Sequence, residues 1–414
     1  EIPANFLAAQ AVQSSSYIQD ITARAEAQYF GVAGHAIKFG VEGVSRTIRS
    51  LVEARNGLQN LVNVVQDTQA GGVEATFFVQ DEWRIGSSLT ANIGLRGAYF
   101  SNGSYLRFEP RAALNWQIDH NFALKAALAV TNQFTHRIEN GLVGNPSETW
   151  FIANSNILPS QSIQYVVGAE TTFFNQEYTF SIDGYYKTLD NLYEFRDTIQ
   201  QRRGIPPESQ LMLGSGIAYG VEILLQKRTG ALRGWIGYTL SQTSRIFPEL
   251  NNGKPFDARF DRRHEAQATA SYKLGDSWEV GATFVVGSGQ PFTMPVGMVA
   301  VQPYTPAISV STPPPPVGGD PAQLLIKTSV LHYPYRGNFR LPVYHRLDVS
   351  ATHTFRWLDL PFELNISVIN LYNQSNPLSW QIRSTSLDGQ NITYRLEEVF
   401  ALPIIPTAGL RFTF

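Results

Sequence analysis

The chain has 414 residues, a formal net charge of −2, no cysteine, and only 16% charged residues against 12% aromatics. That balance points away from nucleic acid as a partner, removes disulfides and thiolate metal sites, and leaves no apolar run of eighteen residues for a membrane helix. It suits a transmembrane β-barrel, in which every second residue faces lipid and the alternate ones face a polar lumen.

In chain order, the signal is a period of two. Ile21, Ala23, Ala25, Ala27 and Tyr29 alternate with Asp20, Thr22, Arg24, Glu26 and Gln28. After a turn at Gly31–Gly34, Ile37, Phe39 and Val41 alternate with Lys38, Gly40 and Glu42. Val73, Ala75, Phe77, Val79 and Trp83 interleave with Glu74, Thr76, Gln80, Glu82 and Arg84, and Leu89, Ala91, Ile93 and Leu95 with Thr90, Asn92 and Arg96. Phe108, Ala112, Leu114 and Trp116 then interleave with Arg107, Glu109, Arg111, Asn115 and Gln117. Ten further strands are expected near 123–134, 163–174, 178–192, 218–228, 231–242, 264–274, 278–288, 345–356, 361–372 and 403–414, about fifteen in all. A slip of one residue would turn each apolar set to the other face, so the phases are strongly specified.

Tight turns such as Phe174–Glu177, Lys227–Gly230, Gly275–Ser277 and Asp359–Leu360 join these strands in pairs, and long connectors separate the pairs near 49–72, 136–162, 193–217, 246–263, 289–344 and 374–402. Short turns on one side and long loops on the other are the pattern of an outer-membrane barrel, with the long loops extracellular. Tyr29, Trp83, Tyr99, Trp116, Tyr178, Tyr272 and Trp278 fall near strand ends, where an aromatic girdle belongs. Segment 289–344 holds Pro313 to Pro316 and reads as a stiffened irregular excursion, while Leu51, Leu58, Leu61, Val62 and Val65 have the spacing of a short loop helix. An odd strand count would leave the first and last strands parallel and unable to close on each other. Either the true count differs by one and is even or, the favoured reading, the chain is the C-terminal part of a larger barrel. Residues 1–10 (EIPANFLAAQ) lack a basic start and an apolar core, which fits a mature, processed or partial chain.

The terminal strand alternates to its last residue, with Ala408, Leu410, Phe412 and Phe414 on one face and Thr407, Gly409, Arg411 and Thr413 on the other. This resembles the assembly signal at the end of outer-membrane barrels, with Leu410, Phe412 and Phe414 its apolar positions. Further stretches carry a resemblance: FDARFDRRH at 256–264, FVVGSGQPFTMP at 284–295, NFRLPVYHRLD at 338–348 and ISVINLYNQSNP at 366–377. Together with the terminal PIIPTAGLRFTF they are similar to the C-terminal barrel half of TonB-dependent outer-membrane receptors of the Bacteroidota type. The resemblance implies an all-β, antiparallel up-and-down transmembrane barrel of about 22 strands around an N-terminal plug. It also implies active import of a nutrient (siderophore, vitamin, glycan or peptide) powered by the TonB energy-coupling complex. Neither the plug nor a TonB-contacting segment is visible in this sequence. The implied partners are outer-membrane lipid, the barrel assembly machinery, and a surface lipoprotein or a separate chain completing the barrel; no cofactor and no metal are implied.

Candidate residues follow from these faces. Glu109 with Arg111, and Arg346 with Asp348, share the lumen side of their strands and are expected to form internal ion pairs or meet the plug, as are Asp261, Arg262 and Arg263 at a loop-to-strand junction. Trp150, Phe151, Tyr193, Phe195, Tyr333, Tyr335 and Trp380, with Arg202, Arg203 and Arg383, lie in the predicted extracellular connectors as ligand anchors or as loop packing. No catalytic motif emerges: the glycine–serine stretches at 214–216 and 287–289 lack the nucleophile-elbow spacing, and the seven histidines are scattered. A passive pore and an adhesive surface barrel remain as alternatives to active import.

Overall fold

The computed structural model describes residues 10–56, 61–139, 148–196, 207–301, 328–386 and 392–412. Fifteen strands form one antiparallel meander in which each strand pairs only with its neighbours in sequence. They are β1 (Gln10–Tyr29), β2 (His35–Asn56), β3 (Leu61–Ile85), β4 (Leu89–Phe100), β5 (Tyr105–Gln117), β6 (Phe122–Gln133), β7 (Ser160–Phe173) and β8 (Tyr178–Phe195). The meander continues with β9 (Leu211–Lys227), β10 (Leu232–Ile246), β11 (His264–Leu274), β12 (Trp278–Gly287), β13 (Tyr344–Trp357), β14 (Leu360–Ile369) and β15 (Ile405–Phe412). A two-residue strand, Phe256–Asp257, adds to β10. Among the described residues β1 and β15 are both sheet edges, and the odd count makes them run the same way.

One sheet end carries only tight turns. At the tightest, Leu358 (φ 50°) and Asp359 (φ 61°) both take the left-handed conformation that a two-residue type I′ hairpin demands. The other end carries the long connectors, with one departure from expectation. Within segment 49–72, residues 49–56 and 61–72 are strand rather than loop: Ser50 pairs with Thr68, and Asn56 with Leu61, past a register shift at Val52–Glu53. The helical spacing over 51–65 yields to this pairing, because residues 49–56 are hydrogen-bonded to β1 on one side and β3 on the other. Two ladders outweigh a local propensity worth tenths of a kcal/mol per residue. Pro313 to Pro316 lie outside the described residues.

The outward face is apolar throughout. Ile21, Phe39, Val41, Phe77, Val79, Ile93, Leu114, Val167, Ile236 and Phe284 are all exposed. Two belts bound this surface. The lower runs through Tyr29, Trp83, Trp116, Phe173, Tyr178, Tyr272 and Trp278, next to the tight turns. Its stacking continues from Trp278 to His353 (4.3 Å), Phe355 (5.4 Å), Phe362 (5.4 Å) and Phe412 (5.8 Å). The upper belt contains a cross-strand row, Tyr165–Tyr186–Tyr219, whose members lie opposite one another in register. It continues through His264, whose Nδ1 lies 2.9 Å from the Tyr238 hydroxyl, and His345, 2.8 Å from that of Tyr372.

Four upper-belt residues lie eight positions from a lower-belt one: Tyr165 from Phe173, Tyr186 from Tyr178, His264 from Tyr272 and His345 from His353. Eight strand residues span about 26 Å, or roughly 20 Å along the axis at a tilt near 40°, close to the apolar band of a membrane barrel. The terminal strand joins this surface: Phe412 pairs with Phe362, Leu410 with Leu364 and Ala408 with Ile366, leaving Leu410 and Phe412 more than half exposed. Phe414 is outside the described residues.

Candidate functional site

Alternation turns the charged residues of β1–β6 onto the inner face, where neighbours along a strand and across strands pair. Glu26 receives both Arg24 (2.6 Å) and Lys38 (2.9 Å), Asp20 holds Arg46 (2.8 Å), and Lys125 reaches Glu170 (2.6 Å). Arg96 bridges Glu74 at 2.9 Å and Glu109 at 3.0 Å. Glu109 is buried and also accepts the Asn132 backbone N–H at 2.8 Å, so its charge is satisfied from two strands. The expected pairing of Glu109 with Arg111 is corrected here. Arg96 stands directly opposite Glu109 in register and takes its carboxylate at 3.0 Å, with Asn132 on the next strand holding the other oxygen. Arg111 instead lines a recess of about 330 Å³ with Arg24, Lys38, Glu42, Gln80 and Arg96, and makes no ion pair among the described residues. On the far strands Arg346 and Asp348 do pair, at 2.9 Å, and Asp348 accepts the Asn370 N–H.

Above the upper belt the loops fold onto one another. A hairpin of Thr135–Glu139 with Glu148–Ile152 lies against the inner wall of β2–β4, where Phe134, Ile152 and Ala153 pack on Ile48, Ala98 and Phe100, with Trp150 at the edge. Arg46 reaches up to donate to the Thr135 hydroxyl at 2.8 Å. Phe151 and Phe195 are buried in a second cluster with Ile138, Ile157 and Leu211, and the Tyr193 hydroxyl accepts the Leu158 N–H. Trp380 packs between Phe292 and Phe339. These aromatics join loops together, while Tyr335 stays half exposed and burial raises the pKa of the Tyr333 phenol. Arg202 and Arg203 lie outside the described residues, as does the side chain of Arg383.

Three of the quoted motifs converge in one knot. Phe339–Arg340 pairs with Pro291–Phe292, and Arg340 donates to Gly289 O (3.0 Å), to Asp261 (2.8 Å) and to Asp257. Asp261 is buried and accepts the Thr243 N–H at 2.7 Å. Burial opposes the Arg340 charge, but the two carboxylates outweigh it and its pKa is raised. Arg263 lies 3.7 Å from Asp257, and Arg262 stands over the Tyr344 ring. So the 256–264 motif ties a loop to the barrel. A second clamp has no motif in the sequence: Arg336 donates to Glu194 (2.9 Å) and to Phe195 O (3.0 Å), Arg245 donates to the other Glu194 oxygen (2.8 Å), and Asn251 holds the Arg336 backbone. Its only sequence signal was a set of charges at strand ends.

His136 belongs to the hairpin. It is buried with Nδ1 3.2 Å from Ser160 Oγ, its ring edge-on to Tyr193, and its Nε2 unpartnered. Burial lowers its pKa from 6.5 to about 4, against a small opposing pull from Leu158. The unfolded loop therefore takes up this proton near pH 6.5 and the folded one only near 4. The folded hairpin is fully stable above 6.5 and weakens as pH falls toward 4, by roughly 3 kcal/mol in total. Hydrogen exchange over Thr135–Glu139 and Glu148–Ile152 should speed up across that window, and His136→Phe should abolish the pH dependence.

Among the described residues no group of three or more His, Asp or Glu side chains is placed to hold a metal. The geometry is a charge-lined inner wall below a set of clamped loops. That arrangement is one for passing or holding a polar solute. A family model described as "TonB dependent receptor-like, beta-barrel" matches residues 5–371. No curated protein matches the chain in sequence. Among solved structures, the ferric citrate transporter FecA in its unliganded form is 13% identical with a TM-score of 0.58, covering 97% of this chain and 55% of that one. The ferric-catecholate import receptor Fiu of E. coli K12 is 14% identical (TM-score 0.57; 97% and 55% covered). The ferripyoverdine receptor of the Pseudomonas aeruginosa outer membrane is 12% identical (TM-score 0.58; 98% and 49% covered). At these identities the likeness shows the fold, and the chain spans about half the length of the structures it matches. With the family model spanning most of the sequence, the chain belongs to the TonB-dependent receptor β-barrel family and is an outer-membrane barrel.

Proposed function

We propose that this chain is the C-terminal barrel portion of an energy-coupled importer, which takes up a scarce nutrient (a siderophore, vitamin, glycan or peptide) across the outer membrane. The observation that carries the reading is the inner wall of β1–β6, where the carboxylates pair with other cations and Arg111 is left open to a recess of about 330 Å³. The solved neighbours named as a ferric citrate transporter and a ferric-catecholate import receptor support the same class of activity. In this reading residues 1–414 are one barrel domain, completed by further strands and filled by a plug that engages the TonB complex. Insertion uses the barrel assembly machinery and the terminal Leu410–Phe412 face. Cargo contacts fall to Arg111 in the lumen and Tyr335 at the mouth, while Phe151, Phe195 and Trp380 act by holding loops in place. A surface lipoprotein over the loops fits the same reading.

The test is twofold. Cells lacking the gene should lose growth on one limiting nutrient, and dissipating the inner-membrane proton gradient should abolish uptake in the wild type. The intact native protein in a planar bilayer should pass no large steady current. An open conductance with energy-independent uptake would favour a passive pore instead.

A further inference from the structure

The lipid face carries a recess that a smooth apolar wall does not need. Ile182, Gly184 and Tyr186 alternate along β8 and face outward, with Gly184 in the outer half of the apolar band, two residues below the upper belt. Gly184 stands in register between Val167, 65% exposed, and Val221, 39% exposed. With no side chain at that position, backbone forms the floor of an open recess of about 500 Å³, walled by the two valines, Leu240 and the belt tyrosines Tyr165, Tyr186 and Tyr219. A Cβ added at Gly184 would meet nothing nearer than the Val167 carbonyl oxygen, at 3.9 Å, and the residue does not have a positive φ. Neither crowding nor backbone conformation therefore calls for glycine here. Glycine weakens the interior of a strand, and it often marks a place that a ligand approaches closely.

Two observations identify the occupant. Between the belts this face borders the hydrocarbon of the bilayer, so the apolar floor and walls are continuous with the lipid interface. The outer end of the recess is cationic. Arg263 also lines it and directly precedes the belt residue His264, which places it at headgroup height. Its ion pair with Asp257 is loose, at 3.7 Å, and that carboxylate already accepts from Arg340 and Gln242. The Arg263 Nε is buried without a hydrogen-bond partner. A guanidinium so weakly engaged is suited to a phosphate, whose oxygens match its fork. We infer that the recess holds one acyl chain of an anionic, phosphate-bearing lipid of the outer leaflet, with Gly184 beneath the chain and Arg263 at the phosphate. The site is independent of the cargo, so its failure would leave the import reading standing.

The direct test titrates the intact protein in a neutral detergent with dipalmitoyl phosphatidylglycerol and counts bound lipid by native mass spectrometry. One lipid should bind ahead of all others, and more tightly than dipalmitoyl phosphatidylcholine, which has the same chains and no net headgroup charge. Gly184→Val fills the floor without a clash and should weaken this binding by about tenfold, the effect of turning roughly two methylenes out of the recess. Arg263→Gln should weaken it by about two- to fivefold and erase the preference for phosphatidylglycerol. Gly43→Val, at an outward glycine of β2 with nothing within 4 Å of an added Cβ, should change neither. Heat-modifiable migration on gels would confirm that each variant is folded. Equal binding by wild type and Gly184→Val overturns the proposal, as does a headgroup preference that survives Arg263→Gln. A dimer that Gly184→Val dissociates would also overturn it, by assigning the recess to a second copy of this chain.

Discussion

Replacing Arg340 with alanine should release the base of the longest loop while leaving the barrel intact. The side chain closes three contacts at once: Gly289 O at 3.0 Å, Asp261 at 2.8 Å and Asp257. Its loss leaves the Asp261 carboxylate, 1% exposed, with the Thr243 N–H alone. Removing one partner of a buried pair costs about 3–5 kcal/mol, since the remaining charge stays desolvated, and the partial exposure of Arg340 places this case near 3. That free energy corresponds to a roughly hundredfold loss of hydrogen-exchange protection in segments 288–296 and 333–343. Strands β8–β10 should keep theirs. Arg340→Lys should recover little, because an ammonium cannot reproduce the fork that reaches two carboxylates and a carbonyl. Adding Asp261→Asn to Arg340→Ala should cost less than the sum of the two changes, as both sever one network. Unchanged protection at the loop base would show that the knot does not hold it.

Contacts such as those of Arg340 leave no local trace in a sequence, whereas strands do. The fifteen strands were legible because each carries its own alternation, and lipid on one side leaves that alternation unbroken. Tyr165 to Phe173 and His345 to His353 obey the same spacing without any contact between them. The helical spacing over 51–65 misled because apolar residues three and four apart are also compatible with a strand, and only pairing with β1 and β3 decides. Loop aromatics failed for a related reason. Phe151 and Phe195 meet at 6.0 Å although 44 residues separate them, and no local pattern encodes that meeting. The Arg336–Glu194 clamp joins residues 142 apart in the chain. The 256–264 motif was visible as a cluster of charges, but its partner, Arg340, lies 79 residues beyond Asp261. Periodicity reports which side of a wall a residue faces. It does not report what waits on that side.

The membrane face itself makes the sharpest test, because two neighbouring residues should respond oppositely to one substitution. Ile182 lies midway between Tyr178 and Tyr186 on β8, pairs with Ala169 and Ile223, and faces outward between the belts. Asp183 follows it, faces the lumen, and stands opposite Glu222. Ile182→Arg places a guanidinium near the middle of the apolar band, at a cost of about 2–4 kcal/mol. Snorkelling gives little relief, since each belt is four residues away, about 13 Å along the strand. Asp183→Arg puts the same side chain into the polar interior and converts a like-charged cross-strand pair with Glu222 into an opposite-charged one, which is neutral or mildly favourable. The outer-membrane level of folded protein, read from heat-modifiable migration, should fall sharply for the first variant and hold for the second. A tolerated Ile182→Arg together with a damaging Asp183→Arg would invert the barrel, placing lipid where this structure places the lumen. Loss in both would mean that β8 is buried on each side, and the belts eight residues apart would then need another cause.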